Sequence, residues 1–348
     1  MNEIYEEGAY RTAGNILDLA SSMKENDGSV LVFIHKSVDG DCVGSGCAVA
    51  QILRRLGVTA YMAMPEPLPF SMGFLDVEDM LFYPEGDEKE VFPGGKKYSA
   101  AISVDCTEGS RMGCCGALYE MFPDSITIDH HEITELATDL KWIMPKSASA
   151  CEMVYHMGLA VAEMLKVPVD QIIDTKAARC IMAGVVTDTG RFTYSNTRPE
   201  TLAVAGELMK LGGDISEVCY NLFDRKKIPE FYLSNAACVG AELHFGGKMA
   251  MSVVTRDMFL KYDAGDDDIA DVVSRLRDIN GVELAVVLRE TEDGKIRGNL
   301  RSKSSFDCSA FAGEFNGGGH KRASGFTIEN GNINDIAKQI LDRAETML

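Results

Sequence analysis

Basic residues are scarce in this chain: 34 Lys and Arg stand against 53 Asp and Glu, a formal charge of −19. Duplex binding needs cations clustered over an extended face. The deficit therefore excludes a broad duplex-DNA surface and confines any nucleic-acid ligand to a short piece met by a local pocket. No apolar run approaches the roughly 18 residues of a membrane span, and the acidic start MNEIYEEGAY has no apolar leader core. A cytoplasmic protein with no membrane partner is expected. The ten cysteines contain no CxxC pair, and only Cys114 and Cys115 are adjacent; this predicts reduced thiols and argues against a disulfide framework or a structural zinc site. The single tryptophan, Trp142, is expected to pack against a sheet, and the methionines fall at helical core spacing.

What is present is an ordinary globular composition, 46% hydrophobic and 25% charged, at a length that suggests two domains. An amphipathic helix around Ile16 to Met23 precedes the buried strand SVLVFIH, and VGSGCAVAQILRRLG reads as a helix ended by Gly57. Strands follow at TAYMA, YSAAISVD, SITIDHH and LKWIM, with loops and a short helix expected between Pro65 and Lys97. Strands alternating with helices and apolar on both faces imply an α/β fold with a parallel sheet, whose C-terminal strand ends gather ligands on one edge. Three long helical stretches follow: SACEMVYHMGLAVAEMLKV, TKAARCIMAGVVTDTG and TRPETLAVAGELMKLGG. The polar NLFDRKKIPE suggests a linker; beyond it, KMAMSVV, VELAVVLRE, KIRGNLRS and GFTI read as strands, and DDIADVVSRLRDI and NINDIAKQILDRAETM as helices. The expected organisation is a larger domain at 1–215 with helices on both sheet faces, a linker at 216–235, and a smaller α+β domain at 236–348 across a cleft.

Acids and imidazoles gather at the ends of these elements. His35, Asp39 and Asp41 lie in HKSVDGD, Asp105 in SVDCTEGSRMG, Asp129, His130 and His131 in TIDHHE, and Asp188 in GVVTDTGRF. Each alone is explained by a turn or a helix cap. Together, three of the six histidines stand beside aspartates where a parallel sheet would bring them to one edge, and carboxylates so crowded repel unless cations hold them. A mixed carboxylate and imidazole set suits Mn, Co, Fe, Mg or Zn. About six ligands suffice for two ions sharing a carboxylate, an arrangement that activates water and stabilises both oxygens in phosphoryl transfer. Cys42, at a helix start, is read as a packing residue.

A second constellation lies near the C-terminus, in NLRSK and FNGGGHKRASGF. Successive glycines let a backbone approach a ligand, and Arg301, His320, Lys321 and Arg322 supply positive charge suited to phosphate, although a solvated hairpin would also use such residues.

These motifs resemble those of the DHH phosphoesterases: HKSVDGDCVGS resembles the first, VDCTEGSRMG the second, TIDHHE the third and GVVTDTGRFTYSNT the fourth, while GGGH resembles the signature of the DHH-associated C-terminal domain. With SASACEMVY and YSNT, the chain looks like the NrnA-type subgroup. The resemblance implies a phosphoester hydrolase with two divalent ions, Mn2+ first and Mg2+ or Co2+ as alternatives. His35, Asp39 and Asp105 would hold one ion; Asp41, Asp105, His130 and Asp188 would hold the other. Asp105 would bridge, and His131 would contact the scissile phosphate, with Asp129 orienting an imidazole. Arg301, Ser302, Gly318, Gly319 and His320 would hold the rest of the substrate. Lys36, Ser37 and Val38 depart from an Asn-Pro common in relatives, and Cys42 from Ala, without removing a ligand.

The implied substrates are very short oligoribonucleotides and 3′-phosphoadenosine 5′-phosphate, attacked by a hydroxide shared between the ions. Cyclic di-AMP or its linear product pApA, pyrophosphate or polyphosphate, and a catalytically silent nucleotide-binding role are the alternatives. A processive exonuclease would need further nucleic-acid-binding domains and a more basic groove. A homodimer is the candidate assembly.

Overall fold

The computed structural model describes residues 3–84, 98–122, 124–132, 138 and 140–348. The chain divides into two compact units, Met1–Arg225 and Lys226–Leu348.

In the first unit, strands β1 (Ser29–Phe33), β2 (Thr59–Ala63), β3 (Leu81–Phe82), β4 (Tyr98–Val104), β5 (Ile126–Asp129) and β6 (Lys141–Ile143) form one sheet of order β3-β2-β1-β4-β5-β6. Every pairing in it is parallel. The winding reverses between β1 and β4, and the crevice outside the strand ends at such a reversal is where parallel sheets bind ligands. β1 is buried on both faces: Val30 and Val32 join one core, Leu31 and Phe33 the other.

Helices α1 (Glu3–Glu25), α2 (Gly40–Arg55), α4 (Ala150–Leu165) and α5 (Thr175–Asp188) supply the larger core. The opposite face carries the one-turn α3 (Gly116–Tyr119) and neighbouring 3-10 turns, through Met112, Cys115, Leu118 and Tyr119. α1 runs well beyond the expected Ile16–Met23, because Tyr5, Ala9 and Ala13 extend the same buried stripe. Alanines among acids leave that amphipathic face faint in sequence. Trp142, on β6, packs edge-on against Tyr5 at 6.3 Å. α5 crosses α2 closely because Gly184 has no side chain: a Cβ there would fall on Cys151 Sγ and Asp41 Oδ1.

α6 (Pro199–Lys210) and α7 (Ile215–Cys219) complete this unit. The stretch 216–235, expected as a linker, is largely helical: α7 runs into a π-turn at Tyr220–Asp224, and α8 (Ile228–Val239) opens the second unit with Pro229 in its first turn. Its basic residues Arg225, Lys226 and Lys227 form a short non-helical joint between the two, and the division between the units falls there, inside the expected linker.

The second unit holds β7 (Glu242–His244), β8 (Met249–Val254), β9 (Leu284–Glu290), β10 (Ile296–Ser302), β11 (Gly318–His320) and β12 (Ala323–Ile328), ordered β11-β12-β10-β9-β8-β7. Only β8 and β9 pair in parallel. α11 (Cys308–Gly313) and α12 (Ile333–Glu345) pack on one face, and α8, α9 (Arg256–Tyr262) and α10 (Val272–Arg277) on the other. DDIADVVSRLRDI, expected as one helix, is a 3-10 turn at Asp266–Ile269 followed by α10. Asp268 accepts the Gly265 amide at 2.8 Å, a local bond that competes with helix propagation.

Candidate metal centre

The ends of β1, β4 and β5 and the facing ends of α2, α4 and α5 bring His35, Asp39, Asp41, Asp105, His130, His131 and Asp188 together. Asp39 caps α2: its Oδ1 accepts the amides of Asp41 at 3.1 Å and Cys42 at 3.0 Å. That leaves Oδ2 toward His35, 3.7 Å from Nε2. Asp41, fully buried, accepts the amides of Ala150 at 2.7 Å and Cys151 at 2.9 Å, so the first turn of α4 fixes it. Asp105 leaves β4 in the left-handed region, φ 52°, with its amide donating to Ile128 O at 3.0 Å. Aspartate tolerates that conformation better than most residues.

Asp105 stands between two imidazoles. Its Oδ2 is 3.2 Å from His35 Nε2, and its Oδ1 is 3.4 Å from His130 Nε2. His130 Nε2 also lies 3.6 Å from Asp41 Oδ2 and 3.3 Å from Asp188 Oδ2. Asp39 and Asp105 thus surround His35 Nε2, while Asp41, Asp105 and Asp188 surround His130 Nε2, and Asp105 is near both.

The hydrogen bonds on the far side of each imidazole fix what faces inward. His35 Nδ1 donates to Lys36 O at 2.7 Å, and His130 Nδ1 donates to Ser147 O at 3.4 Å. A nitrogen beside a carbonyl oxygen must carry the proton, so in the neutral ring Nε2 turns its lone pair toward carboxylate oxygens. That arrangement is repulsive unless a cation lies between, whether a proton on the ring or a metal ion. His130 Nε2 and Asp105 Oδ1 are both buried without a well-formed hydrogen bond. The donor set of imidazole nitrogen and carboxylate oxygen, outer hydrogen bonds included, fits divalent transition ions.

Proton affinities show the same demand for positive charge. Burial lowers the affinity of the His35 ring, but Asp105 and Asp39 outweigh it and leave its pKa at about 9. Burial and the Asp105 charge push Asp41 up to about 7. Burial and the Asp41 and Asp105 charges push Asp188 up as well. Burial would raise Asp105 too, yet the three imidazoles hold it well below the usual carboxylate range.

His131 differs from its neighbour. Asp129 Oδ1 accepts both its amide at 2.9 Å and its Nδ1 at 2.8 Å, so the nitrogen nearest Asp105, 3.3 Å from Oδ1, is already committed. The contacts with Asp105 and Asp129 outweigh burial and raise its pKa to about 10. Cys42 lies close to His35 and Asp39, but its sulfur accepts the Asp39 amide at 3.3 Å, and burial with the adjacent carboxylates pushes its thiol well up. It stays a neutral thiol packed at the helix start.

In the second unit, Arg301 lines a cavity of about 170 Å³ together with Arg289, Asn299 and Asp266. Arg289 donates to Asn299 Oδ1. Ser302 lies elsewhere: it is buried, and its hydroxyl donates to Phe306 O at 2.7 Å. Consecutive strand residues point to opposite faces, which separates Arg301 from Ser302. Gly318, Gly319 and His320 form β11, where His320 pairs with Ala323, itself opposite Arg301 on β10. Gly319 has φ 137°, closed to other residues. Arg289 and Asn299 were not singled out from the sequence; NLRSK contains Asn299, and only the β9–β10 register places Arg289 beside it.

Two family models match, the DHH family N-terminal domain over residues 29–185 and the DHHA1 domain over 246–346. The chain belongs to the DHH family. It is a hydrolase acting on phosphoester bonds. It is similar to the bifunctional oligoribonuclease and PAP phosphatase NrnA of Thermus thermophilus, 28% identical over 93% of this chain and 91% of the relative. The Bacillus subtilis protein of the same name is 29% identical over 92% and 94%. The crystal structure of an exopolyphosphatase-related protein from Bacteroides fragilis shares the fold at a TM-score of 0.83 and 22% identity, covering 95% of this chain and 96% of that one. Among the described residues, no helix is long and apolar enough to cross a membrane.

Proposed function

We propose that this DHH hydrolase degrades very short oligoribonucleotides and dephosphorylates 3′-phosphoadenosine 5′-phosphate, using two divalent ions, Mn2+ first. The reading rests on the position of Asp105, whose two oxygens face two separate imidazole and carboxylate groups. His35, Asp39 and Asp105 would hold one ion; Asp41, Asp105, His130 and Asp188 would hold the other. Bound there, the ions would lower the pKa of a water and offset charge on the phosphoryl oxygens.

The chain's own residues account for the remaining steps. Asp129 orients His131 through Nδ1, which frees the opposite ring nitrogen. His131 would therefore contact the scissile phosphate and donate a hydrogen bond to the leaving oxygen. In the second unit, Arg301 with Arg289 and Asn299 offers an anion-binding cavity, and the glycines of β11 expose backbone beside His320. Together these would hold the nucleotide's other phosphate or base. A short anionic ligand met by local cations suits a surface of net charge −19. Ten free thiols suit a reducing cytoplasm.

The substrate choice follows two relatives named for both activities. A panel of 5′-diribonucleotide, 3′-phosphoadenosine 5′-phosphate, pApA, cyclic di-AMP and pyrophosphate, assayed with Mn2+ and resolved by chromatography, tests it. Turnover of the first two is expected. Exclusive turnover of pyrophosphate, or of cyclic di-AMP, would replace this reading.

A further inference from the structure

The turn that opens α4 touches two of the proposed ligands of the second ion, His130 and Asp41, through its backbone. The Ser147 carbonyl accepts His130 Nδ1 at 3.4 Å, and the amides of Ala150 and Cys151 hold the Asp41 carboxylate. Between them, the Ala148 carbonyl accepts from Asn196 Nδ2 at 3.1 Å, and the same Nδ2 donates to the carbonyl of Asp188 at 3.0 Å. Asp188 is the last residue of α5, where carbonyls lack partners within the helix. Asn196 thus ties the end of one ligand-bearing helix to the start of the turn that carries the other contacts. Its Oδ1 is buried without a partner, so the two carbonyls alone set the amide.

The turn is held from behind as well. Glu152, fully buried, accepts the Ala148 amide at 3.0 Å and the Thr201 hydroxyl at 3.1 Å. Arg198 lies 3.7 Å from Glu152 and donates to Tyr5 Oη at 2.6 Å; Tyr5 in turn donates to Ser147 Oγ at 3.2 Å. Among the described residues Glu152 Oε1 and Arg198 Nε have no hydrogen-bond partner, so the turn is held from behind by the bonds to Ala148, Thr201, Tyr5 and Ser147.

We propose that Asn196 is a positioning residue that locks the Ser147–Cys151 turn to the end of α5 and so sets the affinity of the second ion without touching ion or substrate. This rests on the two-ion reading above. Outer partners of metal ligands fix ring orientation and carboxylate direction, and their loss costs roughly 10–100-fold in metal affinity. His35 and Asp39 receive no bond from this turn, so the first ion should not respond.

Metal-free full-length chain titrated with Mn2+ alone, followed by calorimetry and by the electron paramagnetic resonance of free Mn2+, tests the proposal. In Asn196→Ala, one of two affinities is expected to fall about 10–100-fold while the other stays. A purely structural role would lower the melting temperature and leave both affinities as they were; that result overturns the proposal. Should alanine reduce the yield of folded protein, Asn196→Asp has the same shape but sets an oxygen against one or both carbonyls, and the same selective loss is expected. An unaltered chain that binds fewer than two ions would overturn the two-ion reading itself. Two ions bound with equal strength before and after substitution would overturn only the role of Asn196.

Discussion

His156 makes folding stability depend on pH in a way the structure quantifies. It lies on α4, 4% exposed, stacked on Tyr5 at 4.0 Å and edge-on to Tyr155 at 5.4 Å, with neither ring nitrogen hydrogen-bonded. Burial, reinforced by the Arg198 charge, lowers its pKa to about 4, against about 6.5 in an unfolded chain. Between those values the unfolded chain binds a proton that the folded chain does not. Its contribution is therefore whole above pH 6.5 and is lost as pH falls toward 4. At about 1.4 kcal/mol per unit, the loss amounts to about 2.5 kcal/mol by pH 4.5 and about 3 kcal/mol in full.

His156→Phe keeps an aromatic stack and removes the titration. Urea unfolding of parent and variant, both in EDTA, at pH 7 and pH 4.5 isolates the effect, because any fixed packing cost of the larger ring cancels between the two pH values. The parent should lose about 2.5 kcal/mol more than the variant on acidification. Equal losses would refute the reasoning and show that the folded chain protonates His156 as readily as the unfolded one.

Asp105→Ala should remove the shared carboxylate and lower Mn2+-dependent turnover by more than the roughly 10–100-fold expected for an outer partner of a ligand. Mn2+ should raise the melting temperature of the parent and not of this variant; a variant that keeps ordinary activity would show that Asp105 does not bridge. His320→Ala should raise KM for a diribonucleotide and leave kcat near that of the parent, as expected for a group that binds ground and transition states alike. A normal KM with a collapsed kcat would instead place this imidazole in the reaction.

The sequence alone determined the local facts. Period and flanking caps marked β1, α2, β4, β5, α4, α5 and α12, and the motifs marked every imidazole and carboxylate that meets at the candidate centre, because such groups gathered at several strand ends repel unless cations hold them. It could not mark β3, β7, β11, α9 or α11, which are two to seven residues long, too short for a hydrophobic period to register. Nor did it show α7 and α8 within a stretch that reads as polar linker.

Which groups meet was decided only by tertiary structure. His35 and Asp39 are four residues apart and face each other, whereas Asp41 is turned to His130 and to the first turn of α4, more than a hundred residues away. That division depends on the order in which β1, β4 and β5 line up and on the close α2–α5 crossing that Gly184 permits. Asn196 stands in the YSNT motif, but the sequence does not show which two carbonyls it meets, since any residue supplies a carbonyl. Residue chemistry is written locally; strand order and helix crossing, which are non-local packing outcomes, select the neighbours that give it a use.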